Sequence, residues 1–421
     1  MDTTKTYGFI AIASNILPVP PEEIAKDLQI ELLNSGAGKL HAADLSMNIP
    51  LIFLVLTGGT EQKILELYSQ RRKFFHNEPI LLMAHQSNNS LPAALEVLGR
   101  VQQDGTNGKI IYMDENSNKD CWHDLKKLIK YSQVYHKIVN SKIGLIGAPS
   151  DWLVASSPDA DAIEKLWGAK VEYISIVEFI ESIDKIKNDE IDIDHHNLIT
   201  KTAGVKEPSK KELLHVVKVY AALKKIISHY KLSALSLRCF DLVTDLKTTG
   251  CFALSKLNDE GIVAGCEGDM VSTLGMLWIN NFTDLPVWMA NPARLVEHNN
   301  SIWLAHCTVP LGLVDKYKLR SHFESGLGVG IEGEFSKGKV TLIRLGGKNL
   351  DKLWITNGEI LETGSDENLC RTQVHVKLHG SAKVSDLLNT PYGNHLLMVR
   401  GNFSKDLHEW WEMFIHKAAR Y

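Results

Sequence analysis

The chain has 421 residues, 44% of them hydrophobic and 23% charged, and a formal net charge of -4. It is too long for one hydrophobic core, so two or three domains are expected. The composition is that of a globular protein, and the weakly acidic balance argues against a nucleic-acid partner. Without an apolar run of about 18 residues or a basic-then-apolar amino terminus, we expect neither a membrane span nor a signal peptide, and a cytoplasmic location.

Within the first 260 residues, short apolar runs alternate with amphipathic helical patterns, which predicts parallel sheets covered by helices. In the amino-terminal half of this region, strands are predicted at residues 8–13, 51–56, 80–84 and 109–113. A helix is predicted to open at Pro20 and to close at Gly36, because proline favours the first helical turn and glycine the end. Further helices are predicted after residues 57–61, after residues 89–92 and over residues 124–139.

The alternation restarts further along, with strands predicted at residues 143–147, 171–174, 235–240 and 261–266. Residues 184–211 are rich in both acidic and basic side chains and are predicted to be a solvated connection. His195 and His196 lie in it and are interpreted as surface residues in preference to a metal pair. The connection ends in a capping box, Ser209-x-x-Glu212, which predicts the start of a long amphipathic helix.

Beyond about residue 295 the pattern changes to short, often alternating apolar runs separated by glycine-rich turns, and a final helix is predicted over residues 405–418. We therefore predict an α/β protein with two Rossmann-like parallel-sheet domains followed by a β-rich, barrel-like carboxyl-terminal domain. The predicted boundaries are residues 1–140, 141–295 and 296–421. The four runs in the last domain are residues 329–335, 340–345, 353–355 and 374–378.

Two apolar runs end in side chains that suit a divalent metal ion. Glu267 and Asp269 follow the run at residues 262–264, and His306 ends another run. A carboxylate and an imidazole at strand ends are common ligands for such an ion. The structural alternatives are backbone hydrogen bonding for Glu267, helix capping for Asp269 and core packing for His306. His395, just before a late apolar run, is a weak candidate by itself.

The cysteines give no sign of a disulfide framework or a structural zinc site, because none are spaced as Cys-x-x-Cys. This usage suits a reducing compartment. Cys266 and Cys307 adjoin the candidate ligands, but strand alternation points them the other way, so we interpret both as buried packing. The six positions are Cys121, Cys239, Cys251, Cys266, Cys307 and Cys370.

The assembled segments resemble the L-fucose/L-arabinose isomerase family of metal-dependent aldose–ketose isomerases, with this chain as a compact, divergent member. The resemblance covers nearly the whole chain, and the order and spacing of the motifs are more specific than any single motif. Those motifs are Asn89-Ser90-Leu91-Pro92-Ala93-Ala94-Leu95-Glu96, Ile143-Gly144-Leu145-Ile146-Gly147, Ser150-Asp151-Trp152, Cys266-Glu267-Gly268-Asp269, Ala305-His306-Cys307 and Gly393-Asn394-His395.

The resemblance implies that Glu267, His306 and His395 bind the metal. The family's second carboxylate falls at Asn291, whose amide oxygen can bind a metal but cannot accept a proton from carbon at neutral pH. Glu267 or Asp269, or a water acting as a relay, would then transfer the proton. Both carboxylates are therefore kept as catalytic candidates.

Three residues are expected to contact the substrate: Asn291, Trp152 and Arg238. Arg238 and Arg294 could recognise an acidic or sulfonated sugar, but structural ion pairs are the favoured interpretation of both. The resemblance further implies a homo-oligomer, a hexamer or a trimer. It implies a divalent cofactor, with Mn²⁺ expected and Mg²⁺, Co²⁺ or Fe²⁺ as alternatives.

The predicted activity is isomerisation of a pentose, a 6-deoxyhexose or a related hexose through an enediol. One alternative is a sugar-binding or sensory protein without activity, because paired Rossmann-like lobes also occur in such proteins and fold does not fix function. A second alternative keeps the metal but changes the reaction to sugar epimerisation or aldol cleavage.

Overall fold

The structure is a computed structural model that describes residues 5–16, 18–114 and 118–416. They divide into two compact units, one of residues up to 139 together with those from 409 onward, the other of residues 140–408. Among the described residues, every helix is too short or too polar to cross a membrane.

The first unit is built on a parallel sheet with the strand order β2-β1-β3-β4-β5. Successive residues of its central strand enter two separate apolar clusters, so both faces of the sheet are buried, as parallel sheets require. The strands are β1 (Tyr7–Ile12), β2 (Ala37–Lys39), β3 (Leu51–Val55), β4 (Ile80–His85) and β5 (Gly108–Met113). The helices are α1 (Lys26–Asn34), α2 (Glu61–Arg71), α3 (Ser90–Gln103) and α4 (Asn118–Val139).

A buried ion-pair network links α2 and α4 of this unit. Arg71 Nε lies 2.5 Å from Glu78 Oε2, and His136 Nε2 lies 2.8 Å from Glu78 Oε1. Burial would raise the pKa of Glu78, but His136 and Arg71 hold that pKa below its ordinary value. Arg71 also donates to backbone carbonyls of the segment before β3, those of Leu45, Met47 and Ile49.

The second unit begins with another parallel sheet, in the order β7-β6-β8-β9. Its strands are β6 (Lys142–Ile146), β7 (Lys170–Ile174), β8 (Ala234–Leu237) and β9 (Val263–Cys266). Its helices are α5 (Ala160–Trp167), α6 (Ile176–Asp184), α7 (Asp192–Lys201), α8 (Lys210–Tyr230), α9 (Cys239–Leu246), α10 (Cys251–Asp259) and α11 (Met270–Thr283). The capping box of Ser209 and Glu212 opens α8, as the sequence predicts.

An antiparallel barrel follows in the same unit, closed in the order β10-β11-β16-β15-β14-β17. Its strands are β10 (Trp288–Val296), β11 (Ser301–His306), β14 (Gly338–Gly346), β15 (Lys352–Thr363), β16 (Thr372–Leu378) and β17 (Leu396–Arg400). A separate hairpin is formed by β12 (Lys316–Arg320) and β13 (Gly330–Glu334). Helices α12 (Asp386–Asn389) and α13 (Ser404–Phe414) complete the chain, with α13 passing into the first unit at residue 409.

Parallel-sheet α/β architecture followed by a β-barrel confirms the predicted fold class, while the predicted boundaries stay a prediction.

Several predicted elements are wrong. The helix expected from Pro20 begins only at Lys26, because Ala25 has a left-handed backbone (φ +47°). Residues 184–211 are not simply a solvated connection but contain α7, which buries Leu198. The strand expected over residues 235–240 ends at residue 237. Of the final helix, residues 417–418 lie outside the described residues.

Replacing Glu78 by glutamine should lower the free energy of unfolding by about 3–5 kcal/mol, because Arg71 keeps a buried charge without its counter-ion. The carboxylate's contribution is present above its ordinary pKa of 4.5 and is lost as the pH falls through its lowered pKa. The variant's stability should therefore change less than the wild type's below about pH 4.5. Urea unfolding from pH 7 to pH 3 measures both effects.

The matched control is Glu66→Gln, which removes an exposed carboxylate 3.9 Å from Lys63. Exposed pairs contribute about 0–1 kcal/mol, so its unfolding curves should stay close to the wild type's. Equal losses in the two variants would contradict a special role for the buried network.

Candidate metal centre

The carboxyl ends of three neighbouring parallel strands bring the first part of the site together. Leu237 and Cys266 are paired in register, so Arg238 and Glu267 leave adjacent strands side by side. The loop after β6 carries Trp152 to the same edge, and the backbone N–H of Ser150 donates to the Glu267 carbonyl (2.8 Å). Ligand sites in open α/β sheets lie at this edge.

Glu267 has a left-handed backbone, with φ +64°, and Gly268 follows at φ +71°. A non-glycine residue in this region costs roughly 1–2 kcal/mol. The turn is so tight that a Cβ on Gly268 would lie 2.5 Å from the Ala148 carbonyl oxygen. Strain of this kind persists where surrounding contacts impose it, which occurs most often at functional sites. Here it points the Glu267 side chain toward the barrel.

The barrel supplies two histidines from strands that flank β10. His306 is the last residue of β11, and His395 immediately precedes β17. Both strands pair with β10, through Asn291 with Ala305 and through Ala290 with Leu396. The two imidazoles lie edge to face, with ring centres 5.5 Å apart.

Glu267, His306 and His395 meet in one buried cluster, in which each offers a ligand atom within 4.8 Å of the others. Glu267 Oε1 lies 3.7 Å from His306 Nε2 and 3.5 Å from His395 Nε2. Its other oxygen, Oε2, accepts a hydrogen bond from Trp152 Nε1 at 2.6 Å. The carboxylate is therefore turned so that one oxygen faces both imidazoles.

Hydrogen bonds on the far side of each imidazole fix its orientation. His395 Nδ1 lies 2.8 Å from Asp269 Oδ2, and His306 Nδ1 lies 2.8 Å from the Thr308 hydroxyl. An ionised carboxylate only accepts, so Nδ1 of His395 must donate to Asp269. The Nε2 atom that faces Glu267 is then the one available as a ligand. A carboxylate behind a ligating histidine is a common arrangement in metal sites.

The charges of the cluster are strongly coupled. Burial would raise the pKa of Glu267, but the imidazoles of His306 and His395 hold that pKa far below its ordinary value. Burial would lower the pKa of His395, whereas the Asp269 and Glu267 carboxylates raise it to about 9. At neutral pH the His395 proton balances the carboxylates, and a cation taking that place would displace it.

The donor set fits a divalent cation. His395 Nε2 is fully buried, and among the described residues it has no hydrogen-bond partner, since 3.5 Å to Glu267 is too long. A buried polar atom without a partner is costly unless something else satisfies it. One carboxylate oxygen and two imidazole nitrogens are ligands for Mn²⁺, Fe²⁺, Co²⁺ or Zn²⁺.

Asp269 caps α11 and supports His395 at the same time. Its Oδ1 accepts from the backbone N–H of Ser272 at 2.7 Å, and its Oδ2 accepts from both the Ser272 hydroxyl and His395. The residue is completely buried. Both oxygens are thus engaged in hydrogen bonds.

Arg344 on β14 was not expected to contribute to the site, yet it connects the segments around the cluster. It donates to the hydroxyls of Ser272 and Ser156 and to the Tyr392 carbonyl, at 2.6–2.9 Å. A Cβ on Gly393 would lie 2.0 Å from its Nη2, so the residue two before His395 must be glycine. The sequence feature that could have pointed to Arg344 is the presence of a charged residue inside the apolar run at residues 340–345.

The remaining predicted residues occupy different positions around the cluster. The Trp152 side chain is 50% exposed and packs edge to face on Phe240, with ring centres 4.8 Å apart. Arg238 is held by ion pairs with Asp241 (2.9 Å) and Asp151 (3.3 Å), as the structural alternative proposed. Asn291 is half-buried on β10, opposite the residue before His306.

The predicted packing roles of the cysteines agree with their burial. Cys266 and Cys307 are both buried. Cys266 Sγ lies 3.1 Å from Cys239 Sγ. Neither thiol belongs to the group of ligand atoms formed by Glu267, His306 and His395.

No protein-family model matches this chain. It is similar to proteins named sulfoquinovose isomerase, at low identity. The relative from Alkalicoccus urumqiensis is 21% identical over 301 residues, which cover 69% of this chain and 67% of the relative. The relative from Clostridium sp. (strain MSTE9) is 24% identical over 232 residues, 55% of this chain and 52% of the relative. The relative from Priestia aryabhattai is 20% identical over 298 residues, which cover 68% of this chain and 65% of the relative. The chain thus matches between half and two thirds of the length of these sugar isomerases.

Proposed function

We propose that this protein is a metal-dependent sugar isomerase that interconverts an aldose and a ketose through an enediol. The observation that supports this most is the convergence of Glu267, His306 and His395, from distant parts of the chain, within 4.8 Å. The similarity to proteins named sulfoquinovose isomerase supports sugar isomerisation. Membership of the L-fucose/L-arabinose isomerase family, a cytoplasmic location and a homo-oligomer stay predictions.

Glu267, His306 and His395 would hold the cation, and Asn291 stays a candidate further ligand. We propose Mn²⁺, because oxygen and imidazole donors suit it, as they also suit Co²⁺ and Fe²⁺. When bound, such an ion supplies a Lewis acid toward the oxygens of the sugar, whose negative charge grows in the enediol.

The protein itself contributes orientation. Trp152 fixes Oε2 of Glu267, which leaves Oε1 to the cation. Asp269 fixes the tautomer and the ring of His395. The exposed face of the Trp152 indole offers an apolar surface on which the C–H face of a sugar ring can lie. We therefore propose Trp152 as a substrate contact.

The proton-transfer step needs a group other than the two carboxylates. Glu267 has a pKa far below its ordinary value and would serve the cation, so it is a weak base. Asp269 is buried with both oxygens in hydrogen bonds. We accordingly propose Asp269 as a positioning residue and Glu267 as a ligand.

A sulfonated hexose is the substrate that we propose. Arg238 leaves the strand next to that of Glu267, and its Nη atoms lie 3.3 Å from Oδ1 of Asp151, whose side chain is exposed. Exposed ion pairs are weak, at about 0–1 kcal/mol, so an anionic group of the sugar could take the place of Asp151. The name of the relatives supports this choice, since sulfoquinovose is a sulfonated hexose.

A sugar-binding protein without activity is the second candidate, favoured by Asn291 at the position of the second carboxylate. Incubation of sulfoquinovose, L-fucose and L-arabinose with the protein and Mn²⁺ in deuterated water, followed by NMR, separates the candidates. An isomerase produces the ketose with deuterium at C1, and aldose formed in the reverse direction carries deuterium at C2. An epimerase produces another aldose, and an aldolase produces fragments. Binding without any product would overturn the proposed isomerisation.

Glu267→Gln should reduce turnover at least a thousandfold, because the cation loses its anionic ligand and with it several kcal/mol of stabilisation. EDTA should abolish wild-type activity, and added Mn²⁺ should restore it. Calorimetric titration with Mn²⁺ and a ketose assay measure both effects.

The control is Glu297→Gln, which changes an exposed carboxylate at the turn between β10 and β11. It should retain wild-type turnover and Mn²⁺ affinity. Wild-type activity in Glu267→Gln, or activity that EDTA does not affect, would overturn the proposed metal site.

Asp269→Asn should weaken Mn²⁺ binding and lower turnover by about 10–100-fold. Asparagine still caps α11, so the fold should be retained, but the negative charge behind His395 is lost. Circular dichroism, Mn²⁺ titration and the ketose assay measure this. Ser175→Ala, which removes the N-cap hydrogen bond of α6, is the control and should leave turnover unchanged. Unchanged Mn²⁺ affinity in Asp269→Asn would contradict the positioning role.

Arg238→Gln should raise KM for sulfoquinovose at least tenfold, because one charged contact contributes about 1.5–3 kcal/mol. The KM of any neutral sugar that is turned over should change little. Asp151→Asn, which removes the competing carboxylate, should lower KM for sulfoquinovose. Initial-rate kinetics measure each value, and an unchanged KM in Arg238→Gln would show that another group binds the sulfonate.

A further inference from the structure

His322 is close enough to the cluster of Glu267, His306 and His395 for the charge of Glu267 to act on its imidazole, although no motif in the sequence marks it. It belongs to the loop between β12 and β13. Cys307 directly follows His306, the last residue of β11. The backbone N–H of Ile331, at the other end of the loop, donates to the Cys307 carbonyl at 3.1 Å. The loop is thereby fixed against the strand end that carries His306.

A row of aromatic rings connects His322 to Glu267. The His322 and Phe240 rings meet edge to face with centres 5.6 Å apart, and Phe240 meets Trp152 in the same way at 4.8 Å. Trp152 in turn donates to Glu267. His322 therefore belongs to the same row of aromatic contacts as Trp152, the proposed substrate contact.

The imidazole of His322 is buried and hydrogen-bonded at one ring nitrogen. The residue is 8% exposed, and its Nδ1 lies 3.1 Å from the Ser325 hydroxyl, which leaves Nε2 for another partner. Burial lowers its pKa from the ordinary 6.5, and the charges that act on it are those of Glu324, Arg371 and Glu267. A neutral imidazole is the commonest general base in proteins.

The other polar side chains of the cluster have roles that do not leave them free to accept a proton from the sugar. Glu267 would bind the cation, Asp269 is engaged with α11 and His395, and the Asn291 amide is not a base. His322 is near the cluster yet outside the ligand set.

We propose that His322 is the catalytic residue that transfers the proton between C2 and C1 of the sugar, an inference that rests on the proposed isomerase function. His322 takes the C2 proton, and the electron pair of that C–H bond forms the C1–C2 double bond of the enediol while O1 gains a proton from solvent water. The O2 proton then returns to solvent water as the C2 carbonyl forms, and the electron pair of the C1–C2 double bond takes the proton of His322 to form the new C1–H bond. The net change is an aldose to a ketose, with no oxidant or reductant.

The test is His322→Gln in the full-length protein with Mn²⁺ and the best substrate among sulfoquinovose, L-fucose and L-arabinose. We expect kcat to fall about 10²–10⁴-fold, as for loss of a general base, and deuterium incorporation at C1 to fall equally. KM, Mn²⁺ affinity and the melting temperature should stay near the wild-type values. A merely structural histidine would instead change the melting temperature and Mn²⁺ affinity together.

His375→Gln is the matched control, because His375 is also a barrel-region histidine that is largely buried, with its ring bound to Ser301 (2.7 Å) and Glu362 (3.2 Å). It should keep the wild-type kcat. If His322→Gln does not fold, Ser325→Ala replaces it, since it removes only the Nδ1 partner. A fall in its kcat at constant Mn²⁺ affinity supports the proposal, and an unchanged kcat overturns it.

Two failures are distinguishable. Wild-type protein that turns over none of the three sugars overturns the isomerase function and this inference with it. Active wild-type protein together with a fully active His322→Gln variant overturns the role of His322 alone and leaves the proposed function intact.

Discussion

The candidate metal centre depends on the buried imidazole of His395, which lies between the buried carboxylates of Glu267 and Asp269. Glu267 and Asp269 are separated by one residue, and both are almost entirely removed from water. Two such charges repel each other and lose hydration, so neither is stable without a nearby positive charge. His395 faces Asp269 through one ring nitrogen and Glu267 through the other. A bound cation would supply the positive charge beside Glu267 in place of the His395 proton. The fold needs such a charge whether or not a cation is bound, because the carboxylate is buried.

The architecture explains how residues so far apart in the chain reach each other. Helix α11 begins at Asp269 and packs on β8 and β9 of the parallel sheet as well as on β10, β14 and β17 of the barrel. The N-terminus of α11 thereby connects Glu267, which follows β9, to His395, which precedes β17. Arg344 reinforces that connection through Ser272 and Ser156. The proposed metal ligands thus lie where the two kinds of sheet meet, on buried elements.

The sequence predicts the fold class because apolar runs give strands, and it marks Glu267 and His306 because polar residues follow such runs. His395 was expected only through the family resemblance, and the role of all three residues as metal ligands stays a prediction. The short helix α7 was missed because its charged residues outweigh one buried leucine in a local pattern. The double role of Asp269 and the position of His322 depend on contacts between residues far apart along the chain. Periodicity and spacing contain no information about such contacts.

The left-handed backbone at Glu267 lowers the stability of the protein, whereas the side chain of the same residue is needed for the proposed function. Glycine would occupy φ +64° without steric cost, whereas glutamate does so under strain. Variants selected only for heat resistance would therefore tend to lose this side chain, and with it the proposed anionic ligand. Thermostabilisation of this protein should accordingly hold position 267 fixed and seek its gains elsewhere in the chain.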